Sequence, residues 1–514
     1  MKRIRLVLIT ALLALPAWAA AQDFSVTPLN PVRVGKAGEQ IKVKTLLTNH
    51  SDQTIRMRVD RVEEIPEGWT SSICFGVFCL ADFVSSAEEN WGPGRTDTLS
   101  TWINAITGEG YGVVTYNLTQ RDTNGQVIGE PFVQKYIGIT DGLDVLVVDQ
   151  GDGSAASEIA SRIPAGKTHG VWTVLEAGPQ LDDLATFESV FWLTGENESP
   201  ITEGNRASMA QYLGNGGKLF LSGSNVAYGL CDPSSANYSE DACDFLANRL
   251  GAAYVGTSNI DTEGEGAVGD GLGGGLAFSV DSAASDRIAP TIAGKVFLKW
   301  KSGAAAGIRR ADGMERLIYL TFDFAAISNS VVKDLFVNRT FAFFEDETPP
   351  QLSVGVLQHP FFTSNLDLFV GSADGVEPET VELTVNDNPV PLTLLDAEAG
   401  LWHARHELAA SGTIDLSAFA KDVADNGGDV ARTFTASKAG AHGFAASSAD
   451  GRFTIAIDAG LFEGGEYMLV LGEEARGNET GKIALSVNER DIHWLGEDSF
   501  SKTDHAAYTV LPDR

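Results

Sequence analysis

The spacing of apolar residues changes after about residue 140, and this change constrains the fold more than any other feature. Between residues 24 and 140, apolar and polar residues alternate over short runs, such as 41–46 and 112–118. Clusters of Asn, Asp and Gly separate the runs, as at 122–125. Alternation of this kind is typical of antiparallel strands joined by tight turns. The sequence therefore predicts an immunoglobulin-like β-sandwich over residues 22–141.

Nearly continuous apolar runs replace the alternation in the next part of the chain. They occupy residues 144–149, 189–194 and 218–222, and helical patterns lie between them at 154–163 and 205–213. Strands that are covered on both faces of a parallel sheet show such runs. Alternating strand and helix predicts a doubly wound α/β domain, which we place at residues 142–347.

Three segments of this region resemble the class I glutamine-amidotransferase-like module, which has a flavodoxin-type fold. They are residues 190–195, 212–223 and 320–327. The resemblance extends over roughly residues 144–345. It implies an α/β module that recurs in large secreted bacterial proteins, often beside peptidase or sandwich domains.

The resemblance also implies where a nucleophile would lie. Working amidotransferases carry a cysteine in the turn after the strand that corresponds to residues 218–222, but here the turn continues with Ser224 and Asn225. The module's single histidine, His169, precedes this turn, whereas amidotransferases carry theirs near the end of the module. The sequence therefore predicts a degenerate module without a catalytic triad.

A second β region begins after the Pro349–Pro350 pair. Alternating strands and the turn at 386–388 predict another immunoglobulin-like sandwich over residues 348–437. An Ala/Gly/Ser-rich linker and a small C-terminal β module are predicted for residues 438–514. The predicted fold class is thus a multidomain protein in which all-β sandwich modules flank one α/β doubly wound amidotransferase-like domain.

The first 21 residues have the features of a signal peptide. Lys2, Arg3 and Arg5 precede an apolar run over residues 6–15, and small residues follow near position 20. No later segment is apolar over the roughly 20 residues that a membrane span needs. We therefore expect a secreted, periplasmic or cell-surface protein without a transmembrane segment in the mature chain.

The formal net charge of −32 excludes nucleic acid as a partner, because phosphate binding needs a basic face. The partners expected in the predicted compartment are an extracellular polymer or another surface protein.

Four cysteines form two close pairs, Cys74 with Cys79 and Cys231 with Cys243. Local pairing is the simplest of the three possible arrangements in an oxidising compartment, so the sequence predicts two disulfide bonds. A site in which all four thiolates bind one metal ion is the alternative, but the usual CxxC spacing is missing.

Polar residues follow three of the predicted parallel strands. Ligands of open α/β sheets bind at the carboxyl ends of the strands. The candidate binding residues are therefore Asp149, Asp152, Glu196, Asn197, Ser222, Ser224 and Asn225. Solvated loops contain the same residue types, so an ordinary loop remains the alternative interpretation.

No metal site is predicted from ligand spacing, and the HExxH motif of metallopeptidases is absent. Calcium is the one cofactor that remains possible, because two loops contain Asp and Asn side chains, which supply oxygen ligands. The two loops concerned contain Asp422, Asp425 and Asn426, and Asp122 and Asn124. The same residues are common turn formers for backbone reasons alone.

The sequence contains no complete catalytic constellation, so an enzyme is not the favoured interpretation. We expect a non-catalytic secreted or cell-surface binding or scaffolding protein with a degenerate amidotransferase-like module. The alternative is a hydrolase or accessory subunit that acts on extracellular peptide or polysaccharide through the same crevice. A purely structural spacer is a third hypothesis.

Overall fold

The structure is a computed structural model of the whole chain. It describes residues 23–436, except 123, 199, 259–260, 282–284, 359–364, 374, 398 and 408–411, together with five strands between residues 443 and 495. The predicted signal peptide lies outside the described residues. The chain is predominantly β, with several separate sheets and few helices, and it divides into two compact units, Met1–Tyr212 and Leu213–Arg514. None of the helices in the described part has the length and apolar character of a membrane span.

The first unit begins with a sandwich of two five-stranded sheets, as predicted. Their strand orders are β1-β3-β8-β5-β6 and β2-β10-β9-β4-β7. Buried and partly exposed residues alternate along the whole of β9, which is the pattern of a strand with one face in the core. The strands are β1 (Phe24–Asn30), β2 (Val32–Gly35), β3 (Gln40–Asn49), β4 (Ile55–Glu64), β5 (Thr70–Phe75), β6 (Phe78–Cys79), β7 (Ser86–Trp91), β8 (Thr96–Asn104), β9 (Tyr111–Arg121) and β10 (Val127–Thr140).

Three parallel strands follow in the first unit, with β11 between β12 and β13. All five residues of β11 are buried, which explains its uninterrupted apolar sequence. The predicted strands at 144–149 and 189–194 are confirmed. This region contains β11 (Val145–Asp149), α1 (Ser154–Ala160), β12 (His169–Thr173), α2 (Leu181–Leu184), β13 (Ser189–Gly195) and α3 (Glu203–Gly214).

The second unit begins with a sheet of mixed direction. Strand β14 pairs in parallel with β21, and β21 pairs with β20 in an antiparallel hairpin. A hairpin forms here because only Gly313 and Met314 separate the two strands, which is too short for a parallel crossover. The elements are β14 (Lys218–Gly223), α4 (Val226–Cys231), α5 (Glu240–Asn248), β15 (Ala252–Ser258), β16 (Glu263–Gly266), β17 (Ala277–Ser279), β18 (Ser285–Pro290), β19 (Lys295–Trp300), β20 (Ala305–Asp312), β21 (Glu315–Leu320) and α6 (Ser330–Glu345).

The rest of the second unit is again a β-sandwich. Its larger sheet has the order β26-β27-β23-β22-β32-β33-β34, and the smaller one has the order β25-β24-β28-β29. The last three strands, which lie in the region predicted as a linker and a C-terminal β module, continue this order. Within the predicted linker, β30 forms a strand that pairs with β31. The strands are β22 (Leu352–Gln358), β23 (Asn365–Ser372), β24 (Glu382–Val385), β25 (Asn388–Pro389), β26 (Thr393–Asp396), β27 (Leu401–Glu407), β28 (Gly412–Lys421), β29 (Gly427–Ala436), β30 (Gly443–Ser447), β31 (Thr454–Asp458), β32 (Tyr467–Leu469), β33 (Ile483–Val487) and β34 (Asp491–Leu495).

Candidate functional site

The turn between β14 and α4 contains three of the candidate residues. Ser222 is fully buried. Its Oγ donates a hydrogen bond to the carbonyl of Phe322 at 2.8 Å and accepts one from the N–H of Phe324 at 2.9 Å. These bonds fasten the end of β14 to the segment that follows β21. Ser222 therefore has a structural role here.

Ser224 occupies the position in this turn where a nucleophile would be expected. Its side chain is fully buried, and its Oγ has no hydrogen-bond partner among the described residues. A nucleophile needs both an adjacent base and access to substrate. Among the described residues no base is hydrogen-bonded to the Oγ of Ser224, and the side chain is closed to solvent. Asn225 precedes α4, and its carbonyl accepts a hydrogen bond from the N–H of Gly229 at 2.8 Å.

A carboxylate from another strand lies at the start of α4. Asp286 of β18 is fully buried, and its Oδ2 accepts a hydrogen bond from the N–H of Ala227 at 2.6 Å. The backbone N–H of Tyr228 also forms a hydrogen bond with this carboxyl group. The first N–H groups of a helix have no partner inside the helix and commonly bind anions. The carboxyl of Asp286 therefore occupies the N–H of Ala227 in the first turn of this six-residue helix.

Burial determines the protonation of Asp286. It raises the pKa of this carboxyl to about 8, although hydrogen bonds from Tyr228 and Ala227 act in the opposite direction. The pKa of nearby Tyr319 is raised well above its usual value by burial and by the charge of Asp286. Asp286 is therefore mostly protonated at neutral pH.

Asp286 was not among the residues predicted from the sequence. It lies 59 residues from Ala227 in the chain and within a short strand. A single Asp in a short strand forms no recognisable sequence pattern. The sequence of β18 also does not indicate which helix packs against this strand.

Both predicted disulfides are confirmed. Cys231, the last residue of α4, is bonded to Cys243 of α5, and Cys74 of β5 is bonded to Cys79 of β6. The thiol nearest the Ser224 turn is therefore committed to a structural bond, and it cannot replace the missing nucleophile.

The turn after β11 contains the candidates Asp149 and Asp152. The Oδ1 of Asp149 accepts a hydrogen bond from the N–H of Gly151 at 3.1 Å. Burial raises the pKa of Asp149, whereas the N–H groups of Gly151 and Gly153 lower it. Asp152 accepts hydrogen bonds from the N–H and hydroxyl of Ser154, and these lower its pKa. Both carboxylates thus support the turn that leads into α1.

The end of β13 lies next to the same turn. A Cβ placed on Gly195 would lie 3.3 Å from the Cα of Gly151, and the φ angle of Gly195 is +58°. Both facts favour glycine at this position. Glu196 and Asn197 follow it and are exposed. The structure therefore brings four candidates, Asp149, Asp152, Glu196 and Asn197, to one edge of the first unit's parallel strands.

The loops considered for calcium are held by their own hydrogen bonds. The Oδ1 of Asp422 accepts from the N–H groups of Ala424 at 2.8 Å and Asn426 at 2.9 Å. Asp122 accepts in the same way from the N–H of Asn124 at 2.8 Å. The described residues contain no group of three or more His, Cys, Asp or Glu side chains that could hold a metal ion. Calcium binding stays a prediction.

A cleft of the second unit has a volume of about 380 Å³. It lies beside the C-terminal part of α6, and its lining includes Leu272, Arg339, Phe343, Pro350 and Asp422. Neither Ser224 nor Asp286 contributes to it. This cleft is therefore separate from the turn that the amidotransferase resemblance points to.

Comparisons with known proteins identify no family. No family model matches the sequence, and no curated protein does either. Among solved structures, the N-terminal domain of PorA is 15% identical and matches 23% of this chain and 98% of its own, with a TM-score of 0.19.

Two further structures were matched. A mannosidase that cleaves β-1,4 bonds in an exo fashion, from Opitutaceae bacterium strain TAV5, is 13% identical over 40% of this chain and 36% of its own, with a TM-score of 0.26. A cohesin–dockerin complex from Clostridium thermocellum is 8% identical over 23% of this chain and 99% of its own, with a TM-score of 0.16. At this level of similarity the matches do not assign a function to the chain.

Proposed function

We propose that this chain is a non-catalytic secreted or cell-surface binding or scaffolding protein with a degenerate amidotransferase-like α/β module. The observation that carries the proposal is the hydrogen bond between the buried Asp286 carboxylate and the N–H of Ala227. Acyl transfer at such a turn needs an accessible nucleophile and free N–H donors for the anionic transition state. Ser224 is buried, and the N–H of Ala227 is bonded to Asp286 of the same protein.

The cysteines support a location outside the cytoplasm. Two disulfides that join close positions are typical of proteins in an oxidising environment. Together with the predicted signal peptide, they support a periplasmic, secreted or cell-surface location. An extracellular polymer or another surface protein is then the expected partner.

A hydrolase or accessory subunit acting on extracellular peptide or polysaccharide is the second candidate. The observation that favours it is Asp149, a carboxyl whose pKa is raised by burial and whose turn lies beside the end of β13, which the exposed Glu196 follows. A raised pKa is a property of carboxyl groups that act as general acids.

The test uses the purified mature chain with amide, ester and glycoside reporter substrates, in the presence and absence of calcium. We expect no turnover that is lost in the Ser224→Ala variant or in the Asp149→Asn variant. Thermal stabilisation by a polymer fragment without turnover would support the binding role. Turnover that Ser224→Ala abolishes would overturn the proposal, and turnover that only Asp149→Asn abolishes would favour the hydrolase.

A further inference from the structure

A cleft of the first unit has side chains of both charges in its walls. One wall is the corner between β1 and β2, at residues 29–33, and the other is formed by Trp172 of β12 and residues 176–183. The cleft has a volume of about 320 Å³, and small-ligand sites typically have about 300–1,000 Å³. None of the binding residues predicted from the sequence lines it. We call it the β1–β2 cleft, and it is a separate candidate site.

Hydrogen bonds hold both walls of the β1–β2 cleft in place. In the first wall, the carbonyl of Pro31 accepts a hydrogen bond from the N–H of Ile137 at 2.8 Å. In the second wall, the indole Nε1 of Trp172 donates to the carbonyl of Ala177 at 3.3 Å. A site that is formed in advance loses less conformational entropy when a ligand binds. The cleft therefore has the rigidity that a binding site needs.

Three polar side chains of the cleft have hydrogen-bonding groups that the chain does not use. Arg33 and Glu176 are exposed, and neither side chain forms a hydrogen bond or an ion pair with another described residue. The buried Oδ1 of Asn30 also has no hydrogen-bond partner in the described part of the chain. Buried polar atoms in native proteins nearly always have a partner. Rotation of the Asn30 carboxamide can present this oxygen to a ligand in the cleft.

Asp183 lies close enough to Arg33 for their charges to interact, but the described structure has no ion pair between them. Burial raises the pKa of Asp183, whereas the N–H of Gln180 and the charge of Arg33 act in the opposite direction. The Oδ2 of Asp183 accepts a hydrogen bond from the N–H of Gln180 at 3.0 Å, and its Oδ1 accepts none from the described residues. The cleft therefore offers acceptors on Asp183 and Glu176 together with donors on Arg33.

We propose that the β1–β2 cleft binds a neutral sugar residue of an extracellular polysaccharide. A hydroxyl group both donates and accepts hydrogen bonds. Adjacent hydroxyls of one sugar ring can therefore donate to Glu176 and Asp183 and accept from Arg33. Leu29 is 43% exposed in the same cleft and provides an apolar surface for the C–H groups of the ring. The inference rests on the proposed binding function, and it names the class of polymer and the place where it binds.

Other classes of ligand are less complementary to this lining. The carboxyl groups of Glu176 and Asp183 repel an anion, and the guanidinium of Arg33 repels a cation. An apolar ligand would displace water from these groups without replacing its hydrogen bonds. A peptide backbone offers one N–H and one C=O per residue, whereas one sugar ring carries several hydroxyls. A neutral sugar therefore satisfies the polar groups of the cleft best.

Calorimetric titration of the purified mature chain tests the inference. The neutral probes are dextran, galactomannan, xylan and laminarin, with polygalacturonate as the anionic probe and a tryptic digest of casein as the peptide probe. We expect at least one neutral polysaccharide to bind, and neither of the other two probes. The affinity should not change between about 50 and about 500 mM NaCl, because salt screens interactions between charges and the ligand carries none.

A double variant tests whether the sugar binds in the β1–β2 cleft. Arg33→Gln with Glu176→Gln removes one group of each charge, so the net charge is unchanged. We expect binding to weaken at least about tenfold, because each hydrogen bond to a charged group is strong enough to give such a loss. The matched control is Lys36→Gln with Glu64→Gln, which changes one exposed residue of each charge outside the cleft. The control should keep the wild-type affinity.

Hydrogen exchange locates the site without any substitution. Peptides that cover residues 174–183 should exchange more slowly when the polysaccharide is bound, and peptides from β7 should exchange at the same rate. Circular dichroism checks the fold of the variants, which should be intact because the substituted side chains are exposed. Unchanged exchange of residues 174–183 on binding would show that the site lies elsewhere.

Three further results would overturn the inference. They are binding of none of the neutral polysaccharides, preferential binding of polygalacturonate or the casein digest, and an affinity that falls as salt is added. A polysaccharide that binds the wild type and the cleft variant equally would also refute the site, although the proposed binding function would stand. Turnover that is lost in Ser224→Ala would overturn the proposed function and leave sugar binding at the cleft unaffected.

Discussion

The N–H of Ala227 donates a 2.6 Å hydrogen bond to the carboxylate of Asp286, a residue 59 positions further along the chain. The bond closes the start of α4 with a side chain of the same protein. The helix start is therefore satisfied without a ligand, and the first two predictions test this arrangement.

Replacing Asp286 by Asn should remove a pH-dependent loss of stability. The folded pKa of about 8 lies above the unfolded value of about 3.9, so the folded chain binds more protons between these values. Stability contributed by this group therefore falls as the pH rises from about 4 to 8, by at most about 1.4 kcal/mol per pH unit. The measurement is urea unfolding of the second unit at pH 5, 7 and 9.

The Asn variant should lose less stability over this range than the wild type. The exposed Asp387→Asn is the control, and it should follow the wild type. Parallel profiles for Asp286→Asn and the wild type would contradict the prediction.

A cysteine at position 224 should be unreactive in the native protein, because the side chain at this position is fully buried. We expect Ser224→Cys to resist a thiol reagent such as 5,5′-dithiobis(2-nitrobenzoate) until the chain unfolds. The control Ser302→Cys, at an exposed position, should react at once. Equal labelling rates would show that the turn is open to substrates.

Arg309 should be important for the stability of the second unit. Its buried guanidinium pairs with Asp270 at 2.7 Å and with Glu377, and it donates to the carbonyl of Val423 at 3.2 Å. Arg309→Met leaves two carboxylates without their cation, so we expect a loss of about 3–5 kcal/mol in the free energy of unfolding.

The matched control for Arg309→Met is Lys295→Met, which removes the exposed ion pair with Glu379. Exposed pairs contribute less than about 1 kcal/mol, so this variant should unfold almost like the wild type. Urea unfolding measures both losses. Similar losses for the two variants would mean that the buried ion pairs of Arg309 contribute no more to the free energy of unfolding than the exposed ion pair of Lys295.

The Cys74–Cys79 disulfide should stabilise the first sandwich by about 2 kcal/mol, because its five-residue separation closes only a short loop of the unfolded chain. Cys74→Ser with Cys79→Ser should therefore increase hydrogen exchange in β5 and β8, which share backbone hydrogen bonds. Peptides from the second unit serve as the internal control. Unchanged exchange in β5 would contradict this role.

Some features of the chain could be predicted from local patterns. The uninterrupted apolar run that ends at Asp149 predicted a buried parallel strand, and the structure has one at Val145–Asp149. The pairing of Cys231 with Cys243 followed from their closeness in the sequence. The turn at Ser224 could also be located, because a helix follows directly after an apolar strand.

The sequence by itself determined the local structure, because the period of apolar residues is set by the geometry of a single strand or helix. It also indicated the missing nucleophile, since a side chain is either present or absent. Only the tertiary structure decided that Asp286 meets Ala227 and that Arg61 holds the carbonyl of Asp82. These contacts join residues from separate elements, and packing of the whole domain selects them. No spacing within one element encodes such a contact.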